Sequence, residues 1–167
     1  MINIPVATIN ERSPYQVIEI DTNVFLFTNC YGISYNVGFS PDSLFIENSD
    51  VYQFYIVNTR HEHFIHDPLV EKTIEVIIET FFEQDSNILL YICDMIDGRQ
   101  SFRNRLFKRW VEEYPGKDKF SFINKAVKFG DIEYYGSIII MKSHPEYDII
   151  VDTFNNFVEQ ILEKLNS

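Results

Sequence analysis

Asp94 and Asp97 stand three residues apart, with Gly98 next and then Arg99, Gln100 and Arg103. Two carboxylates at this spacing can hold a hard cation such as Mg²⁺, which usually takes only one or two protein carboxylates. Arg99 and Arg103 can instead bind a phosphate or carboxylate, with the free N–H groups of a helix start as further donors. A structural reading uses the same residues completely. Asp97 can be the helix N-cap with Gln100 as its capping-box partner. Asp94 can then neutralise Arg99 or Arg103. Cations at a helix N-terminus oppose its dipole unless an anion sits among them, and Asp94 and Asp97 can be that anion.

The positioning elements are visible on either side. Ile88–Cys93 is almost wholly apolar, which predicts a strand buried on both faces. The residues after Gly98 have helical spacing, with Leu106, Phe107, Trp110, Val111 and Tyr114 as the burying side. Arg105, Lys108 and Arg109 fall on the other side, suited to docking an acidic partner. The charge distribution sharpens this. Residues 99–128 hold nine of the 14 Lys and Arg and three of the 25 acids, a local +6 in a chain of net charge −11. The acidic remainder could belong to a partner or to a second copy of the chain. Nucleic acid is disfavoured, because phosphate contacts dominate that affinity and the molecule as a whole is negative.

His61 and His63 are two apart and would share a face of a strand, with His66 close by, so they are weak candidates for a transition metal. No second ligand cluster completes such a site, and the segment also reads as a polar connection. The chain has no GxSxG, P-loop, GxGxxG or HExxH motif. Cys93 sits inside an apolar run and reads as a core residue. No cofactor is implied, and the expectation leans away from an enzyme.

The run Tyr91–Trp110, YICDMIDGRQSFRNRLFKRW, resembles the signature stretch of a small family of bacterial proteins of unknown function. The shared features are the aromatic-Ile-Cys-Asp strand end, the Asp-Gly-Arg-Gln turn, and a helix with the spacing of Arg103, Phe107 and Trp110. The resemblance implies that this turn matters and names no catalytic residue.

The rest of the chain supplies the frame. Tyr15–Asp21, Asn23–Asn29, Ile33–Phe39 and Val51–Thr59 read as strands separated by turn residues at Asn29–Gly32 and Ser40–Asp42. Ile33, Tyr35, Val37 and Phe39 alternate onto one face. Asp67-Pro68 predicts a helix start. Val70, Ile74, Ile77, Ile78 and Phe81 then form an apolar stripe to about Gln84, with Glu71, Glu75, Glu79 and Glu83 as a solvated row. Phe120–Phe129 and Ile132–Met141 predict a hairpin around Gly130-Asp131. Ser143 and Glu146 fit a capping box opening a last helix whose apolar side includes Ile150, Phe154, Phe157, Val158, Ile161 and Leu165.

This order predicts an α+β fold, a largely antiparallel sheet of about six to seven strands with three main helices, in a single domain spanning 1–167. The 46% apolar content of the 167 residues excludes a disordered chain. No run approaches the roughly 18 apolar residues of a membrane helix, and the N-terminal residues lack a signal-peptide pattern. The expected protein is a small cytoplasmic binding or interaction module using the basic 99–128 region. The alternative is an enzyme or ligand sensor that binds a phosphate- or carboxylate-containing molecule at the Asp94–Arg103 turn.

Overall fold

The computed structural model describes residues 2–42, 50–59, 66–93 and 99–166. In chain order its elements are α1 (Val6–Arg12), β1 (Ile18–Asp21), β2 (Val24–Thr28), β3 (Ser34–Pro41), β4 (Val51–Asn58), α2 (Pro68–Phe81), β5 (Ile88–Ile92), α3 (Gln100–Glu113), β6 (Phe120–Phe129), β7 (Ile132–Met141) and α4 (Tyr147–Asn166). The fold is α+β, with a seven-stranded, mostly antiparallel sheet in the order β1-β2-β3-β4-β5-β7-β6. The chain divides into two compact units, Met1–Ser40 with Phe54–Asn87, and Pro41–Gln53 with Ile88–Ser167.

In the first unit, alternation decides which face is buried. Phe25 and Phe27 on β2 pair in register with Val37 and Tyr35 on β3. All four are buried, as are Ile33 and Phe39. The β2–β3 turn is closed by Asn29, whose Oδ1 accepts from the backbone N–H of Tyr31 and Ile33 at 3.0 and 2.8 Å. Gly32 there has φ +77°, a conformation that favours glycine. On the opposite face Tyr55 lies against Gly38, where an added Cβ would come within 2.2 Å of the ring.

α2 begins as its sequence predicts. Asp67 accepts from Leu69 N–H at 3.0 Å, and Pro68 takes the first helical position. Its buried side keeps Val70, Ile74, Ile77 and Phe81 of the predicted stripe and adds Thr73, Val76 and Thr80, while Ile78 is half-buried. The Thr73 and Thr80 hydroxyls donate to the carbonyls of Leu69 and Val76 at 2.7 and 2.8 Å, and Thr80 Oγ1 also accepts from Arg12 at 3.3 Å. The glutamate row is not simply solvated. Arg12 pairs with Glu79 at 2.7 Å and with Glu83 at 3.6 Å, and Lys72 pairs with Glu75 at 2.8 Å.

Arg12 ends α1, a helix the sequence reading missed ahead of the first strand it assigned. α1 has seven residues and no side-chain cap, too little for local propensity to announce. Long-range contacts hold it. Ile9 is fully buried, and Asn10 exchanges hydrogen bonds of 2.8 Å with the backbone of Val17.

The second unit is three layers. β6 and β7 pair from Phe120↔Met141 to Phe129↔Ile132, leaving the two-residue turn Gly130-Asp131. Gly130 has φ +60°, as a hairpin turn of this length requires. β5 joins on the other side of β7, Leu89↔Ile139 to Ile92↔Gly136. Because strand side chains alternate, the three strands present two faces. Ile88, Leu90, Ile123, Ile138 and Ile140 pack with Ile150, Phe154 and Val158 of α4. Tyr91 and Phe122 point the other way and meet Phe107 of α3, at ring-centroid distances of 4.2 and 6.0 Å. The helices α3 and α4 therefore cover opposite faces.

α4 starts one turn later than the predicted capping box requires. Successive turns run from Met141 to His144 and from His144 to Tyr147. The Glu146 N–H is satisfied by His144 Nδ1 at 3.0 Å, not by Ser143. The side chains of Ile161 and Leu165 lie outside those described, and Phe157 is 40% exposed.

Candidate functional site

β5 delivers the chain to the site with Cys93 buried, its N–H donating to Tyr135 O at 3.2 Å. Asp94, Asp97 and Gly98 lie outside the described residues. Arg99 is the N-cap residue of α3 and makes no capping hydrogen bond through its side chain. Gln100 is the first residue of the helix. A capping-box partner stands third, where its side chain can reach back to the cap N–H, and the Asp97 half of the predicted box is outside the described residues. The Gln100 amide instead donates to Glu133 O on β7 at 3.3 Å. Its Oε1 is buried and has no hydrogen-bond partner among the described residues.

Arg103 is half-buried, and its charge is felt by Tyr91 and Cys93. Burial pushes both groups up from their ordinary values, and Arg103 opposes the shift in each case. A thiol held protonated by burial is a poor nucleophile, in keeping with Cys93 as a core residue.

The next turn shows what the sequence reading overlooked. Asn104 is buried at a position on the apolar side of α3. Its Oδ1 accepts from Asn124 Nδ2 at 2.6 Å, and the same amide donates to Ser137 Oγ at 2.8 Å. A polar residue three positions before Phe107, within the apolar side, was the available signal. The chain Asn104–Asn124–Ser137 fixes α3 on the sheet. Of the residues expected to bury α3, only Phe107 is fully buried, while Leu106, Trp110, Val111 and Tyr114 are half-buried.

With α3 so oriented, Arg105, Lys108 and Arg109 all point to solvent. Among the described residues no carboxylate comes within ion-pair range of any of the three. Arg105 is close enough to Tyr135 to oppose the upward shift caused chiefly by the Tyr135 hydrogen bond to Glu133. Phe102, 45% exposed, precedes Arg105 by three positions on the same side. Charges also run against the helix dipole at both ends of α3: arginines at 99, 103 and 105, glutamates at 112 and 113. Stability of the isolated helix does not explain that order.

Of the histidine candidates, His66 is exposed beside the α2 cap. His61 and His63 lie outside the described residues. No group of three or more His, Cys, Asp or Glu is arranged to hold a metal ion among the described residues. No helix among them is long and apolar enough to cross a membrane.

A family model described as a family of unknown function (DUF6169) matches residues 66–156, more than half of the chain. The chain belongs to DUF6169. The match begins beside the Asp67 cap, contains the whole of β5, α3, β6 and β7, and ends within α4. The DUF6169 region therefore holds every described candidate site residue. No curated protein matches the chain.

Proposed function

We propose that this chain is a small cytoplasmic binding module, acting through the basic 99–128 region and without catalysis. The exposed face of α3 holds an acidic protein partner. One observation carries the reading: Arg105, Lys108 and Arg109 are exposed together and find no carboxylate among the described residues, in a chain that has 25 acids. A surface pair contributes little by itself, about 0–1 kcal/mol. Three cations on one face, with Phe102 beside them, form a patch of the Arg-and-aromatic composition that concentrates binding energy. The triple variant R105E/K108E/R109E tests it. Retention of the wild type on immobilised polyglutamate at low salt, lost in the folded variant, supports the reading. Equal retention of both removes it.

A second reading places a small phosphate- or carboxylate-containing molecule at the strand-to-helix turn, at Asp94, Asp97, Arg99, Gln100 and Arg103. The buried Gln100 Oε1, which has no partner among the described residues, favours a ligand there. That atom is an acceptor and calls for a donor, so it suits a hydroxyl or amine on the ligand better than a phosphate oxygen. Thermal shift against sugar phosphates and nucleotides tests this reading, and no stabilisation across the panel ends it.

A further inference from the structure

α4 carries the counterpart of the α3 face. Asp148, Asp152, Glu159 and Glu163 are all exposed. Their spacing of four, seven and four residues keeps them on one narrow stripe of a helix. None of them forms an ion pair among the described residues. Beside Asp148 and Asp152 stands Ile149, 64% exposed, the most exposed large apolar side chain among those described. The α3 face has the complementary pattern, Phe102 followed by Arg105, Lys108 and Arg109. Each surface is an apolar anchor beside charges of one sign, and the signs are opposite.

Resting on the reading of α3 as a binding surface, we infer that its acidic partner is the α4 face of a second copy of this chain. α3 and α4 cover opposite faces of β5-β7-β6, so one copy cannot return both contacts to the same neighbour. The contact is head-to-tail, α3 of one copy on α4 of the next, and it leaves an unused face at each end. The helices cross antiparallel. That direction puts Arg105, Lys108 and Arg109 over Asp148 and Asp152. It carries Glu112 and Glu113 towards the N-terminal end of the partner's α4, where the dipole favours them, and away from Glu159. The −11 charge of each copy opposes association. At physiological salt the screening length is about 8 Å, so distant repulsion is weakened more than the contacting pairs.

Two variants test the inference by sedimentation velocity, with circular dichroism confirming that both fold: the basic-face reversal R105E/K108E/R109E and the acidic-face reversal D148K/D152K. At about 0.05 M salt the wild type should associate into a concentration-dependent series of species, dissociating by about 0.5 M. Each variant alone should be monomeric. Their mixture should associate again, because the native α3 of one meets the native α4 of the other and the two reversed faces are also opposite in sign, with affinity at least about tenfold above that of either variant for itself. A monomeric wild type at low salt overturns the inference, as does a mixture that stays monomeric. If the wild type is monomeric yet keeps its α3-dependent retention on polyglutamate, self-association fails and the binding-face reading stands. If that retention is also absent, both fail.

Discussion

Asn124 on β6 donates to Asn104 on α3 at 2.6 Å, and this part-buried bond sets the rotation of the helix. Because it turns Asn104 and Phe107 inward, Arg105, Lys108 and Arg109 must turn outward. Asn104→Ala leaves the half-buried Asn124 amide one acceptor short. The expected loss is about 1–3 kcal/mol, read as a lower urea midpoint with unchanged slope. The double variant N104A/N124A should lose less than the sum of the singles, since the two share one interaction. Strict additivity contradicts the coupling.

Asp67 serves two elements. One oxygen caps α2 through Leu69 N–H at 3.0 Å, and the other accepts from the Tyr15 hydroxyl at 2.6 Å. Asp67→Ala removes the cap and leaves Tyr15 without this acceptor, an expected cost of about 1–2 kcal/mol. For a chain of this length each kcal/mol moves Tm by about 2–4 °C. Tyr15→Phe keeps the cap and should shift Tm less. A melt in which Y15F costs as much as D67A assigns the stabilisation to the tyrosine instead.

Much of this was legible in the sequence. The alternation of Ile33, Tyr35, Val37 and Phe39, the Asp67-Pro68 start and the β6–β7 hairpin stand as read, because each is encoded by neighbours in sequence. α1 and the Gln100–Glu133 contact were not legible. Both depend on residues far apart in the chain, and a short uncapped helix leaves no periodic pattern to find. The basic face was visible as composition. That it stays without a carboxylate among the described residues became apparent only once Asn104 fixed the direction of the helix.

Gly38 lies beneath the Tyr55 ring, with no room for a Cβ. Gly38→Ala should cost about 1–3 kcal/mol through overpacking. Once Tyr55→Ala has cleared the ring, adding the Gly38 substitution should cost little more. An undiminished penalty in the double variant would place the constraint in the backbone rather than in the ring.

The two thiols should differ sharply. Cys30 is exposed and Cys93 buried. In the native protein, a thiol reagent should modify one cysteine quickly, with mapping to Cys30, and reach Cys93 only on unfolding. Cys93 is raised from 9.0, and Tyr91 from 10.0, chiefly by burial. The folded state therefore holds these protons more tightly than the unfolded chain does. Their contribution is fully present below about pH 9 and declines above it. Stability that rises between pH 9 and 10.5 (about the range where the unfolded groups ionise) contradicts the burial of this pair.

Surface reversal of Arg105, Lys108 and Arg109 should leave unfolding free energy within about 0.5 kcal/mol, since none of the three is buried. That stability makes their binding test clean. The most direct measurement of the central claim is the affinity of wild type and R105E/K108E/R109E for a labelled acidic polypeptide, by fluorescence anisotropy at low salt. The binding-face account expects at least about a tenfold loss in the variant, together with a steep weakening of the wild type as salt rises. Equal affinity of the two proteins, or no dependence of wild-type binding on salt, contradicts it.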